Sequence, residues 1–164
     1  VFFITTSTLD NAAACFHQTL ALVLDARERL GPRFPEAKVK QILAVAGLAS
    51  PDLGAALKSI PWAKRDVAAR IADVCEVDVP AFLRDRKPYL TAEQIRSMQA
   101  QGFSFGAHSV DHPRYGDLPL DEQLRQTRDS MRVMVETFGI RPRTFAFPHT
   151  DSGVSATFFD TVFG

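Results

Sequence analysis

The feature that most constrains the fold is a repeated change of period in the hydrophobic pattern between Thr91 and Phe147. From Thr91 to Gln101 the pattern is helical. Thr91 and Gln94 fit a capping box, Ile95 and Met98 share a face, and Gly102 ends the run. From Phe103 to His108 the period falls to two. Phe103, Phe105 and Ala107 then face one way, and Ser104, Gly106 and His108 the other. From Leu120 to Phe138 the helical period returns, with Leu120, Leu124, Met131, Val135 and Phe138 as the expected buried stripe and Gly139 as the stop. Arg143 to Phe147 reads as a short strand stopped by Pro148. Ser155 is placed to cap a last helix carrying Phe158, Phe159 and Val162. Val1 to Thr5, apolar and β-branched, reads as a buried strand. The order of strand, helices, strand, helix, strand and helix predicts an α/β fold with parallel strands and helical crossovers.

Between the first two strands the chain is much longer than one crossover needs. Asp10 or Asn11 can cap a helix marked by Phe16, Leu20, Leu24 and Leu30 and stopped at Gly31-Pro32. Pro35 suits the first turn of a second helix, with Val39, Ile42, Leu43 and Ala46 on one face and Gly47 as its stop. Shorter helical patterns follow at 52–57, 62–75 and 79–86. Residues 12–102 are therefore expected to be a helical insertion within one domain spanning 1–164. A chain of 164 residues can bury ~70% of its unfolded surface. Its 46% apolar and 23% charged residues are an ordinary globular balance. The opening "VFFITTS" reads as a strand already under way and the closing "ATFFDTVFG" as a helix broken off. The chain is thus expected to be the central part of a longer domain, of cytoplasmic or cell-envelope location, with no signature of oligomeric state.

Formal net charge is zero, which gives no footprint for nucleic acid or an anionic membrane, and no apolar run approaches a membrane span. Cys15 and Cys75 lack paired spacing and read as buried free thiols rather than a disulfide framework. In parallel α/β folds, sites gather at the carboxyl ends of strands. Three such ends carry chemistry: Thr5, Thr6 and Ser7; His108, Ser109, Asp111 and His112; Pro148, His149 and Asp151. Three of the four histidines lie there. His108 and His112, followed at once by Pro113, fit a tight turn. That turn either brings two neutral imidazoles to one ion of zinc, iron, cobalt or nickel, or leaves two solvated rings beside Asp111. A zincin pattern is excluded, because Ser109 stands where its glutamate base is required. His17 reads as a half-buried structural residue, Trp62 as packing, and Arg84, Arg86 and Lys87 as a solvated helix end.

"GAHSVDHP" resembles the His-Ser-x-x-His motif of the polysaccharide deacetylase family, the NodB-homology carbohydrate esterases. "FAFPHTDSG" is similar to that family's following motif, "LPLDEQLRQTRDSM" to the helix between them, and "VFFI" to the strand after its first motif. The resemblance covers roughly Phe103 to Phe159 and the first few residues. It implies a distorted (β/α) barrel, here partial, and a hydrolase that removes acetyl groups from an acetylated glycan or oligosaccharide. It implies His108 and His112 as ligands of a divalent metal, zinc above cobalt, nickel or iron. Ser109 would brace the loop, Pro148 would shape the acetyl pocket, and the backbone N–H of His149 would help hold the oxyanion. Asp111 and Asp151 would support the loops, Asp151 by capping the turn before Gly153. The family's adjacent aspartates, base and metal ligand, have no counterpart in this chain, nor does its later general-acid histidine. Ala146 and His149 replace an arginine and a tyrosine. A weak or inactive enzyme, or a carbohydrate-binding or scaffolding protein with a degenerate site, therefore stands beside the active-enzyme reading.

Overall fold

The structure is a computed structural model that describes residues 1–141 and 143–163. In chain order its elements are β1 (Phe2–Ile4), a 3-10 stretch (Thr6–Asn11), α1 (Phe16–Leu30), α2 (Glu36–Val45), α3 (Leu53–Lys58), α4 (Arg65–Val74), α5 (Val79–Arg86), α6 (Ala92–Ala100), β2 (Phe105–Ala107), a 3-10 turn (Tyr115–Asp117), α7 (Leu120–Phe138) and α8 (Ala156–Phe163). Short 3-10 turns also flank α2 and α4. Two compact units form: Val1–Ala13 with Lys87–Gly164, and Ala14–Arg86. No helix among the described residues is long and apolar enough to cross a membrane.

The Ala14–Arg86 unit is helical. Leu20 and Val23 of α1, Val39 and Leu43 of α2 and Val67, Ala68, Ile71 and Ala72 of α4 recur at the spacing that stacks side chains on one helix face, and these faces meet in a common core. Leu24 and Leu30, expected in the deepest row, are only half-buried, and Val23 and Ala26 take that place. Trp62 packs on this core with the Arg65 guanidinium 4.0 Å above its ring. His17 is exposed against the Phe16 ring, not half-buried. Neither cysteine forms a disulfide; Cys15 is only half-buried rather than buried, and burial pushes the Cys75 thiol up to about 11.

The other unit is organised by β2. Strand β1 pairs with it in parallel, Phe2 against Phe105, Phe3 against Gly106 and Ile4 against Ala107. Helix α7 packs on β2, and Ile95 of α6 joins Phe105, Ala107, Met134, Phe138 and Ile140 in the core. All three residues of β2 are buried, as expected of a parallel strand flanked on both sides. Phe103, predicted to share the buried face of Phe105, lies before the strand and is 46% exposed. Val1, Phe2 and Phe3 are likewise exposed, so β1 is not the buried strand that its composition predicts.

The predicted strand Arg143–Phe147 contracts to a single parallel bridge, Phe145 against Ala107. Ala107 N–H donates to Thr144 O at 2.9 Å and Ala146 N–H to Ala107 O at 3.0 Å. Buried Pro148, which has no N–H, and the turn at His149 end the ladder there. The parallel α/β arrangement is present among the described residues as two short strands and one bridge, which by themselves do not show a partial barrel.

Two further expectations change. Asp10 and Asn11 do not cap α1, whose first turn has no side-chain cap. Both adopt left-handed φ near +58° and turn toward residues 89–92. Asp10 Oδ1 accepts from Ala92 N–H at 2.7 Å, in the first turn of α6, and the Asn11 amide bonds both backbone groups of Tyr89. The start of α6 also carries the predicted Thr91–Gln94 capping box. Helix α7 has the predicted bounds but a rotated face. Its buried residues are Gln123, Gln126, Thr127, Ser130, Met134 and Phe138, while Leu120, Leu124, Met131 and Val135 are half-buried. Met131 and Val135 pack at the margin of the core and line an open groove with Phe145, Phe147 and Phe158.

Gly106 shows how tightly the sheet is packed. A Cβ there would lie 2.5 Å from Thr144 Oγ1, 2.7 Å from Thr144 O and 2.7 Å from a Phe3 ring carbon. The backbone oxygen belongs to the bridged neighbour and cannot rotate away. Gly106→Ala is expected to lower stability by about 1–3 kcal/mol, read as a lower urea midpoint at unchanged slope. A midpoint equal to that of the parent would show that the strands can separate to admit a methyl group.

Candidate metal centre

The three predicted strand ends converge at one edge of this unit. Beyond β1, Thr6 N–H donates to Ser109 O at 3.1 Å, Ser7 N–H to Val110 O at 3.0 Å and Thr5 Oγ1 to His108 O at 3.3 Å. The loop after β2 is thus tied to the chain after β1. Beyond the bridge, the His108 ring Nδ1 lies 2.8 Å from Ala146 O. A carbonyl can only accept, so Nδ1 carries the proton and the lone pair of the neutral ring sits on Nε2. Histidine ligands are commonly oriented by such a bond to a backbone carbonyl.

The loop from Ser109 to Pro113 is wound around one side chain that sequence reasoning missed. Gln126 of α7 is fully buried. Its Oε1 accepts from Val110 N–H at 2.9 Å and Asp111 N–H at 3.0 Å. Its Nε2 donates to Asp111 Oδ2 at 2.9 Å and Glu122 Oε1 at 3.0 Å. Ser109, also fully buried, accepts from His112 N–H at 2.9 Å. Ser109 and His112 both have left-handed φ, +66° and +60°. Such conformations are costly for residues with a Cβ and persist where surrounding bonds over-determine them. Arg125 grips both oxygens of Glu122 at 2.8 and 2.7 Å and stands 3.7 Å from Asp111. The bond to Glu122 raises the Arg125 pKa further above its usual value. Asp111 therefore serves the loop, with its carboxylate turned to Gln126 and Arg125.

The rings themselves come together. His108 and His112 have centroids 4.8 Å apart with planes at 67°, and His112 and His149 are 4.8 Å apart at 74°. His108 and His112 are half-buried and His149 is exposed. Burial pushes the His108 pKa below the ordinary range, the bond to Ala146 O partly offsets this, and the nearby His149 lowers it again. The result favours a neutral ring, the form that offers a lone pair to a cation. Two rings with centroids 4.8 Å apart, one tautomer fixed by a carbonyl and the loop between them braced, fit a borderline divalent ion.

Pro148 is fully buried and supports its loop from beneath. That loop is held by close backbone approach: a Cβ on Gly116 would lie 2.5 Å from Ser152 O. Asp151, expected to cap the turn before Gly153 with its carboxylate, contributes its carbonyl instead, accepting from Val154 N–H at 3.0 Å. The side-chain bond in this turn comes from Thr150, whose Oγ1 accepts from Ser152 N–H at 3.1 Å. Ser155 caps α8 as predicted, accepting from Phe158 N–H at 3.3 Å.

The sequence does carry a signal for Gln126. Gln123, Gln126, Thr127 and Ser130 form a polar row at helical spacing, and a polar row facing inward must have partners to bond. Gln126→Leu keeps the bulk and removes the acceptor of two half-buried N–H groups. A loss of about 3 kcal/mol is expected, measured by urea denaturation. A loss below about 0.5 kcal/mol, within the ordinary range for surface changes, would mean that the loop is held by other bonds.

Residues 67–160 match a sequence model described as polysaccharide deacetylase, more than half of the chain. The match begins within α4 and ends beside Phe159, so it includes every histidine of the cluster built from His108, His112 and His149. No curated protein matches, and no solved structure matches. With a family match of that extent laid over a loop braced to present two imidazoles, the chain belongs to the polysaccharide deacetylase family.

Proposed function

We propose that this chain provides the metal-binding half of a carbohydrate deacetylase site, a hydrolase acting on an acetylated glycan or oligosaccharide, with His108 and His112 as ligands of a divalent cation, zinc first among the candidates. Family membership supports a carbohydrate deacetylase-like function. The observation that carries the finer reading is the paired geometry of the rings, 4.8 Å apart, with His108 Nδ1–H committed to Ala146 O. The partial barrel belongs to this proposal, with the three strand ends on its rim.

Each residue then has a task. His108 presents Nε2, because its other nitrogen is held at 2.8 Å by a backbone carbonyl. His112 is aimed by the bond from its N–H to Ser109 Oγ. Asp111 and Gln126 keep the loop closed, and buried Pro148 sets the turn that carries His149 to the surface. The backbone N–H of His149 is the candidate donor to the acetyl oxygen as negative charge develops there, a contact worth ~3 kcal/mol where it is pre-aligned. A bound divalent cation supplies polarisation of the acetyl carbonyl and acidification of water.

No adjacent aspartate pair occurs in the sequence, and Asp111 is engaged by Gln126 and Arg125. A carboxylate base is therefore missing from this constellation, and turnover by these 164 residues alone is expected to be weak. The same observation favours a second reading, a carbohydrate-binding or scaffolding protein that retains the fold without the chemistry.

The test is a His108→Ala/His112→Ala double variant. Metal content by mass spectrometry after zinc loading and dialysis, and acetate release from acetylated chito-oligosaccharides, are both measured against the parent chain. Loss of bound zinc with loss of any acetate release is expected. Unchanged zinc content and unchanged hydrolysis would overturn the metal assignment. Oligosaccharide binding by the parent with no acetate release at any zinc concentration would favour the second reading.

A further inference from the structure

We infer that the imidazole of His149 is a third nitrogen ligand of the cation site, making it a three-histidine centre for a borderline divalent cation of the zinc, cobalt or nickel class. The inference rests on the assignment of His108 and His112 proposed above, and adds to it a side chain whose backbone N–H alone has so far been given a role.

The first ground is position. His112 lies 4.8 Å from His149, centroid to centroid, the same separation as from His108. One ring nitrogen of His112 and one of His149 lie within 4.8 Å of each other. Two nitrogens bound to one tetrahedral zinc at about 2.05 Å are roughly 3.4 Å apart. For His112 and His149 the approach still required is therefore little more than an ångström, and the His108 ring, outside that close pair, stands against His112 at 4.8 Å between centroids. His149 is exposed, so rotation about its side-chain bonds can supply that movement without repacking a core.

The second ground is the backbone. His149 has φ +61°, and Thr150 N–H donates to Pro148 O at 2.7 Å across it. A two-residue hydrogen bond around a positive φ is the rare, strained form of γ-turn. Strained backbone of this kind collects at functional sites because the surroundings hold it there. The turn lies on buried Pro148 and on the loop that meets Gly116. It lifts the ring of His149 off the sheet edge and sets it beside His112, whose own φ is +60°.

The third ground is the chemistry of the nearby carboxylate. Asp111, the acid of the same loop, accepts from Gln126 Nε2 at 2.9 Å and faces Arg125 at 3.7 Å. Recruiting it as a ligand would break the bonds that shape the loop, whereas recruiting His149 breaks none of those. Three imidazoles suit zinc, cobalt and nickel, and disfavour magnesium and calcium, which take oxygen donors.

The experiment uses the full 164-residue chain titrated with cobalt(II), as the parent, His149→Asn and His108→Ala. Asparagine tolerates left-handed φ, so His149→Asn keeps the turn and the backbone N–H while removing the imidazole. Dissociation constants come from visible absorption in competition with a chelator, and the number of bound imidazoles from X-ray absorption. For the parent, one cobalt per chain with three imidazoles is expected. For His149→Asn, at least tenfold weaker binding and a count of two are expected, with circular dichroism unchanged. A His149→Asn variant that matches the parent in affinity and imidazole count, while His108→Ala is weakened, would overturn this inference and leave the two-histidine assignment standing. Absence of cobalt binding by the parent would overturn both.

Discussion

One amide side chain holds the candidate site together. Gln126 reaches from α7 into the loop after β2 and offers a single oxygen to two successive backbone N–H groups, those of Val110 and Asp111. Buried backbone groups that find no partner are costly, so a loop of this shape requires such an acceptor. The other end of the amide returns to Asp111, so donor and acceptor close on the same short segment. Ser109 adds the bond that fixes His112. Without these contacts the two left-handed residues of the loop would relax, and the rings would lose their common direction. The stability of α7 and the aim of the imidazoles are thus parts of one network.

A second dependence runs across the sheet. His108 is oriented by the carbonyl of Ala146, and Ala146 is placed by the bridge between residues 144–146 and Ala107. The neighbouring aromatic rings Tyr115, Phe145, Phe147 and Phe158 meet edge to face, which fixes the same segment from its other side. A minimal ladder is therefore sufficient here, because side-chain packing does what further backbone pairing does in longer strands.

Much of this was legible in the residues. The capping box at Thr91, the bounds of α7, the stop at Gly139 and the convergence of His108, His112 and His149 at strand ends all follow from period and punctuation. Each is a local property, decided within a turn or two of chain. Harder to read was whatever depended on a distant partner. Asp10 looks like a cap for the helix next to it, but its carboxylate serves Ala92, far along the sequence. Leu120, Leu124, Met131 and Val135 look like the buried stripe of α7, yet the loop beneath the helix demanded polar groups and turned the Gln126 row inward. The strand at 143–147 has suitable residues, but strand length is set by what pairs with it, and only the middle of the segment has a partner. Asp151 and Thr150 are equally good turn residues by type, and only geometry distinguishes carbonyl from hydroxyl.

The contact at Gly106 has a mechanical corollary. The Phe3 ring, the Thr144 hydroxyl and the Thr144 carbonyl crowd a residue with no side chain, so the flanking segments lie closer to β2 there than a residue with a Cβ would allow. The residue two positions further along is His108, and the carbonyl that steers it belongs to one of those segments. The glycine thus acts as a gauge block: it sets how near the strand that bears the imidazole can lie to the segment that steers it.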